Sequence, residues 1–219
     1  MSTIKTAEQA RVEWNNVWDS PFQFVIGCGR SVYNLFLRNV LIPHASPNAD
    51  LLEIGCGTAS LLCDIADKFR SVVGLDISER ALVQARHRAS QMQVSNVSFV
   101  EGDCFHLPFQ DDSFDVLWSQ GLHEHFENYI DIFKEEYRVC RPGGVVYAGV
   151  PYRYSYPTIW YKLSRLPMCK KLWPWTEQVF FTKNEILDVV RRVAPQAEVY
   201  VLQPMILGIL IVKIEKPTH

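Results

Sequence analysis

The stretch that most constrains this chain is Leu51-Leu52-Glu53-Ile54-Gly55-Cys56-Gly57-Thr58-Ala59, followed by a second apolar run ending in Asp76. It predicts an apolar strand, a glycine turn, a helix, another strand, and a carboxylate about twenty residues beyond the first glycine. That layout suits an adenosine-containing cofactor. Glycines let the backbone pass close to a ligand, and an acid at the tip of the second strand can accept hydrogen bonds from ribose hydroxyls.

The glycine spacing argues against a dinucleotide. In G-x-G-x-x-G the third glycine lets the helix pack tightly on the strand beside a pyrophosphate. Here Gly55-x-Gly57 runs on into Ala59 and Ser60, so that glycine is missing. Glu53 precedes the turn, and its charge would repel a pyrophosphate. The ammonium or sulfonium of S-adenosylmethionine would be attracted to it, directly or through water.

Periodicity extends the reading in both directions. Helices are predicted over 6–18, with Trp14 and Trp18 packing on one face at i, i+4 spacing, and over 31–41, before Pro43. Strands at 50–54, 72–75, 97–100, 114–119 and 145–150 alternate with helices at 59–69, 79–91 and 129–140. Ser78 is the expected N-cap of the helix at 79, and an N-cap role is also the alternative reading of Asp76. This rhythm predicts an α/β fold, a doubly wound Rossmann-like sheet with its ligand crevice at the carboxyl ends of the strands.

At 219 residues the chain suits one well-buried core with a small appended lid. Apolar residues make up 48% and charged residues 21%, as in a soluble globular protein. The formal net charge of −2 gives no field favouring nucleic acid. Cys28, Cys56, Cys63, Cys104, Cys140 and Cys169 are scattered without a C-x-x-C pair, which points to reduced thiols and a cytoplasmic location. The N-terminus lacks the apolar core of a signal peptide, and the apolar run 204–214 is too short to span a bilayer.

Four blocks, in this order, resemble the class I S-adenosylmethionine-dependent methyltransferases, closest to the type 11 small-molecule group. They are Glu53-Ile54-Gly55-Cys56-Gly57-Thr58; Val73-Gly74-Leu75-Asp76-Ile77-Ser78; Gly102-Asp103 with Leu107-Pro108-Phe109; and Ser113-Phe114-Asp115-Val116 with the later Arg141-Pro142-Gly143-Gly144. The resemblance covers about 50–150. It departs at Ala59, where the family usually has glycine. It implies a seven-stranded sheet, mostly parallel with an antiparallel last strand, in a single domain over 1–219. Its parts are an N-terminal helical cap (1–48), a cofactor-binding core (49–150), a substrate lid (151–181) and the C-terminal part of the core (182–219).

The resemblance also distributes roles for the cofactor S-adenosyl-L-methionine. Glu53, Gly55, Cys56 and Gly57 would meet its methionine side, and Asp76 its ribose hydroxyls. Ile77 would stack on adenine, with Asp103 accepting the adenine amino group and Cys104 giving a backbone N–H. Ser119 and Gln120 would pass near the methionine. Apart from the resemblance, Arg30 and Tyr33 could hold the methionine carboxylate, which needs a cationic or donor partner, with an exposed arginine as the equal alternative. The alternative for Asp103 is a loop aspartate bonding its own turn.

Catalytic candidates lie in Gln120-Gly121-Leu122-His123-Glu124-His125, just after the fourth strand. Methyl transfer mainly needs alignment and exclusion of water, and a base only where the acceptor must lose a proton. His125, which matches the histidine of the family's Glu-His pair, is the first choice, and His123 the second. Some relatives bind a divalent cation through Glu-x-x-Glu-His; here Gly121 stands at the first acidic position, so no metal is expected.

The expected reaction is methyl transfer to a small-molecule or amphipathic, lipid-like acceptor, favoured at oxygen. The aromatic, basic stretch 151–181 suits a lid over such an acceptor, or equally a proline-rich excursion that packs its aromatics on the core with its lysines solvated, with membrane-surface contact the lesser alternative. Ser119-Gln120-Gly121-Leu122 does not match the Asn/Asp-Pro-Pro-Tyr/Phe turn of nucleic-acid amino-methyltransferases. A nicotinamide-dependent oxidoreductase and a non-catalytic S-adenosylmethionine-binding module are the competing readings.

Overall fold

In the computed structural model, residues 6–18, 34–164, 178–202 and 208–218 are described. Seven strands form one sheet in the order β3-β2-β1-β4-β5-β7-β6. They are β1 (Asp50–Ile54), β2 (Ser71–Asp76), β3 (Val97–Glu101), β4 (Phe114–Gln120), β5 (Cys140–Pro151), β6 (Glu198–Leu202) and β7 (Ile209–Glu215). The pairings β1–β2, β1–β4, β2–β3 and β4–β5 are parallel. β7 runs antiparallel to both β5 and β6, so the reversed strand is the last in the chain. The order changes direction between β1 and β4, which places a ligand crevice beyond their carboxyl ends.

Every residue of β1 is buried, as expected of a central parallel strand covered on both faces. One face of the sheet packs Leu52, Ile54, Leu117, Val146 and Ala148 against Ile132, Phe133 and Val139 of α5 (Tyr129–Val139). The other packs Leu51, Val72, Val116 and Trp118 against Leu61 and Leu62 of α3 (Ser60–Ile65), Ala85 and Ala89 of α4 (Glu79–Gln91), and Leu37 and Leu41 of α2 (residues 34–41). Each fully buried side chain of this kind contributes about 1.5–3 kcal/mol before entropy is counted.

Local signals explain the helix ends. Ser78 Oγ accepts the Ala81 N–H at 3.3 Å and caps α4, so the cap is Ser78 and not Asp76. Thr6 Oγ1 accepts the Gln9 N–H at the start of α1 (Ala7–Trp18). A capping box of Thr182 and Glu185 opens α7 (Lys183–Val190), a helix the apolar periodicity did not single out. The helix expected over 59–69 is shorter: α3 ends at Ile65 and a 3-10 turn, Ala66–Lys68, follows. A further helix, α6 (Tyr156–Ser164), lies inside the expected lid.

The Arg141-Pro-Gly-Gly block is scaffold, at the end of the sheet away from the crevice. β5 begins at Cys140 and includes the block, rather than starting at Val145. Arg141 donates to Asp115 Oδ2 at 2.6 Å and Asp50 Oδ2 at 3.0 Å, and Asp115 Oδ2 also accepts the Asp50 N–H at 2.8 Å. Arg70, just before β2, grips Asp50 with its Nε 2.9 Å from Oδ1 and Nη2 on Oδ2, and Ser71 Oγ adds a bond of 2.7 Å. A Cβ on Gly144 would lie 2.7 Å from the Asp115 carbonyl oxygen, so the block closes against β4 only as glycine. These contacts tie the starts of β1, β2, β4 and β5 together.

The Leu107-Pro-Phe block is also structural. Arg138 of α5 donates to the carbonyls of Leu107 (3.0 Å) and Phe109 (2.9 Å), while Glu135 accepts the Leu107 N–H at 2.9 Å. The Arg138 guanidinium beside Glu135 holds that carboxyl below its ordinary range.

Candidate active site

The turn after β1 alternates left-handed residues: Gly55 (φ 70°), Gly57 (φ 53°) and Ala59 (φ 51°). Its amides at Gly55 and Cys56 both bond the Leu75 carbonyl of β2, at 2.8 and 3.0 Å. Asp76, 7% exposed at the tip of β2, accepts the Gly57 N–H at 2.8 Å through Oδ2 and the Ser78 N–H at 2.9 Å through Oδ1. The two sequence blocks read as cofactor-binding therefore form one hydrogen-bonded unit. Gly74 lies beneath it, where a Cβ would come within 2.9 Å of Cys56 Sγ.

Glu53 is buried at the end of β1, in register with Gly74 of β2 and Trp118 of β4. Cys56 and Cys104 are buried, and burial raises the Cys104 thiol well above its ordinary range. Ile77 is half-buried against the core. Asp103 bonds its own loop, accepting the Phe105 N–H at 3.0 Å, with His106 Nδ1 3.4 Å from its other oxygen. That is the turn role weighed against adenine recognition. Arg30 and Tyr33 lie outside the described residues, as do residues 165–177 of the expected lid.

At the end of β4, Ser119 is fully buried and its Oγ has no hydrogen-bond partner among the described residues; Gln120 is half-buried. Gly121 (φ 66°) then turns the chain into a short 3-10 helix, His123–His125. Leu122 reaches back to the glycine turn: its Cδ1 would be 3.3 Å from a Cβ on Gly55. His123, Glu124 and His125 are all buried, but in different surroundings. His125 meets Trp14 of α1 edge to face, ring centroids 5.0 Å apart. His123 turns into the core, stacked on Phe133 at 4.0 Å with Nε2 3.4 Å from Glu136 Oε2. His123 is thus enclosed against α5, whereas His125 lies against α1.

Glu124 Oε1 lies 4.0 Å from His125 Nε2, and burial pushes the Glu124 carboxyl up to about 8. An acid in that range is neutral at pH 7 and holds a proton beside the imidazole.

Sequence reasoning did not anticipate the role of α1. Trp14 covers His125, and one residue on, Asn15 Oδ1 accepts the Ser78 hydroxyl at 2.6 Å. Helix α1 thus spans from the tip of β2 to the tip of β4. The Trp14/Trp18 pair was its signal: Trp18 is buried and Trp14 faces the site. Among the described residues no group of three or more His, Cys, Asp or Glu side chains is arranged to hold a metal ion. Nor is any described helix long and apolar enough to cross a membrane.

Residues 52–148 match a family model described as a methyltransferase domain. Over that segment, a little under half of the chain, it is similar to a methyltransferase domain. Over 109 residues the chain is 34% identical to a demethylmenaquinone methyltransferase of Bacillus cereus, covering 48% of this chain and 46% of that protein. It spans about half the length of the curated relatives it matches. A Methanococcus maripaludis structure assigned as an S-adenosylmethionine-dependent methyltransferase has TM-score 0.64 at 18% identity, over 100% of this chain and 98% of that one. The [4+2]-cyclase SpnF has TM-score 0.66 at 16% identity, over 84% and 80%. At such identities these two speak for the methyltransferase fold alone.

Proposed function

We propose that this domain transfers a methyl group from S-adenosylmethionine to a small, lipid-like acceptor. One observation carries the reading: the Gly55-Cys56-Gly57 turn is bonded through Gly57 to Asp76, within a segment that matches the methyltransferase family. The residues present suit the donor. The left-handed glycines lack the Cβ that would bar a close ligand, and Glu53 places a carboxyl group at the end of the strand that leads into the turn. Asp76 would hold the ribose hydroxyls and Ile77 the adenine face, with Asp103 and the Cys104 amide at its edge. Ser119, Gln120, Arg30 and Tyr33 would serve the methionine end. Bound there, the sulfonium supplies the electrophilic methyl group, and the protein aligns the acceptor and excludes water.

On the acceptor side His125 would take a proton from a hydroxyl, which favours oxygen as the methylated atom. The demethylmenaquinone methyltransferase relatives support a lipid-like acceptor. Exposed Tyr154, Tyr156 and Ile159 near the end of β5 and on α6 add an apolar surface on the crevice side of the sheet.

Two measurements test this. S-adenosylhomocysteine should raise the melting temperature and NAD should not, because only a ligand of the native state stabilises it. Labelled methyl should then pass to a short-chain demethylated menaquinol, and mass spectrometry of the product separates oxygen from carbon methylation. Donor binding without transfer, to this acceptor or in cell extract, would leave a binding module.

A further inference from the structure

One buried polar group at the crevice end of the sheet has no role in the site as read so far. The Glu124 side chain is 5% exposed, and its Oε2 has no hydrogen-bond partner among the described residues. His125 Nε2 is 4.0 Å from Oε1, beyond hydrogen-bond reach. An unpaired buried carboxyl oxygen destabilises a fold, so its retention calls for a partner that the fold itself does not supply.

The surroundings of Glu124 point to that partner. Gly121 N–H donates to the Gly149 carbonyl at 3.0 Å, which pins the end of β4 to β5, and Glu124 follows three residues later. Val179 N–H donates to the Glu124 carbonyl at 2.8 Å; two residues on, Phe181 N–H reaches the Pro151 carbonyl at 3.0 Å. The stretch expected to cover the acceptor is thus fastened at its return end to Glu124 and to its own start. The carboxyl turns back toward Gly121: a Cβ there would meet, among the described residues, only Glu124 Oε1 within 4 Å, at 3.6 Å. Burial raises the carboxyl to about 8, so it is protonated at pH 7. In that form it offers an O–H donor and a carbonyl acceptor, which together suit a neutral hydroxyl or carbonyl oxygen. A charged ammonium would need the ionised form that burial disfavours.

We propose that Glu124 is an acceptor-binding residue, whose unpartnered carboxyl oxygen completes its hydrogen bonding on a hydroxyl or carbonyl oxygen of the methyl acceptor. This rests on the methyltransferase reading and adds a requirement for an oxygen-bearing acceptor. The test compares the parent with Glu124→Leu and Glu124→Gln, each saturated with S-adenosylhomocysteine so that no transfer follows. The probes are the short-chain demethylated menaquinol and a naphthol. Calorimetry reads their affinity. Infrared difference spectroscopy reads the carbonyl band of the protonated carboxyl, assigned by its loss in Glu124→Gln.

In the parent that band should shift when a probe binds. Glu124→Leu should bind the probes on the order of tenfold more weakly, with donor affinity parental and melting temperature at or above parental. Glu124→Gln, which keeps a donor and an acceptor, should stay within about threefold of the parent. Parental probe affinity in Glu124→Leu, or a band that binding leaves in place, would overturn the proposal and leave the carboxyl to water or to the fold. Glu124→Gln binding as poorly as Glu124→Leu would overturn it too, because an ionised carboxylate would then be required. Should Glu124→Leu not fold, the band in the parent decides. Should the menaquinol not bind, the lipid-like acceptor fails by itself and the naphthol decides the role of Glu124; no response to either probe overturns it.

Discussion

The Asp76 carboxylate and the Gly57 amide lie 2.8 Å apart, so the acid at the tip of β2 holds the glycine turn at the tip of β1 in shape. Removing the acid therefore acts twice, on the ribose contact and on the turn. Asp76→Ala should weaken S-adenosylhomocysteine binding about 100-fold or more, in line with losing charge-assisted hydrogen bonds. Calorimetry measures this directly. Parental affinity would remove the ribose assignment.

His125 lies against Trp14. His125→Ala should lower kcat about 100-fold, the scale of a lost general base. The Kd for S-adenosylhomocysteine should stay close to parental. Steady-state kinetics beside calorimetry separates the two effects, and equal turnover would leave the reaction without a histidine base.

Ala59 is held at φ 51°, ψ 36°, a left-handed conformation that costs a residue with a Cβ about 1 kcal/mol. Glycine accepts it freely but is more flexible when unfolded and gives up a buried methyl group. Those two losses together, about 1–2 kcal/mol, exceed the strain relieved, so Ala59→Gly should lower stability by about 0.5 kcal/mol, or roughly 1–2 °C in Tm for a chain of this size. Denaturant titration is the more direct measurement. A more stable variant would mean that the strain outweighs the packing of the methyl group.

Asp50 is held down to about 2 from its usual 3.8, chiefly by Arg70, with Ser71 and Arg141 adding to it. A carboxyl depressed on folding adds stability that is complete above about pH 4 and disappears as pH falls through 2. Allowing for solvent around the exposed part of Arg70, that stability is about 1–2 kcal/mol. Asp50→Asn should lose it at neutral pH, and its unfolding free energy should depend less on pH between 4 and 2. Parallel acid curves for the two proteins would assign the acid sensitivity to other carboxylates.

The sheet and the donor side were legible because their signals are local. An apolar run, glycines and a terminal acid sit close together in sequence, and each residue type is demanded by its own backbone. The same reading gave Asp50–Ile54 as β1 and Glu79–Gln91 as α4. It left open what two of the four blocks do. Arg141-Pro-Gly-Gly and Leu107-Pro-Phe accompany the fold because they clasp strands and dock a loop on α5, and sequence order alone does not separate a clasp from a contact. His123 and His125 are two residues apart and look equivalent in one dimension. Only the packing of α5 on one and α1 on the other tells them apart.

The charged clasp of Asp50, Arg70, Asp115 and Arg141 closes the sheet at the end opposite the crevice. The four strands it joins are held together at their starts, away from the loops that follow their carboxyl ends. Loops on the crevice side can then vary in length and sequence without touching this clasp. A scaffold divided in this way can acquire new acceptors by changing one rim and leaving its foundation alone.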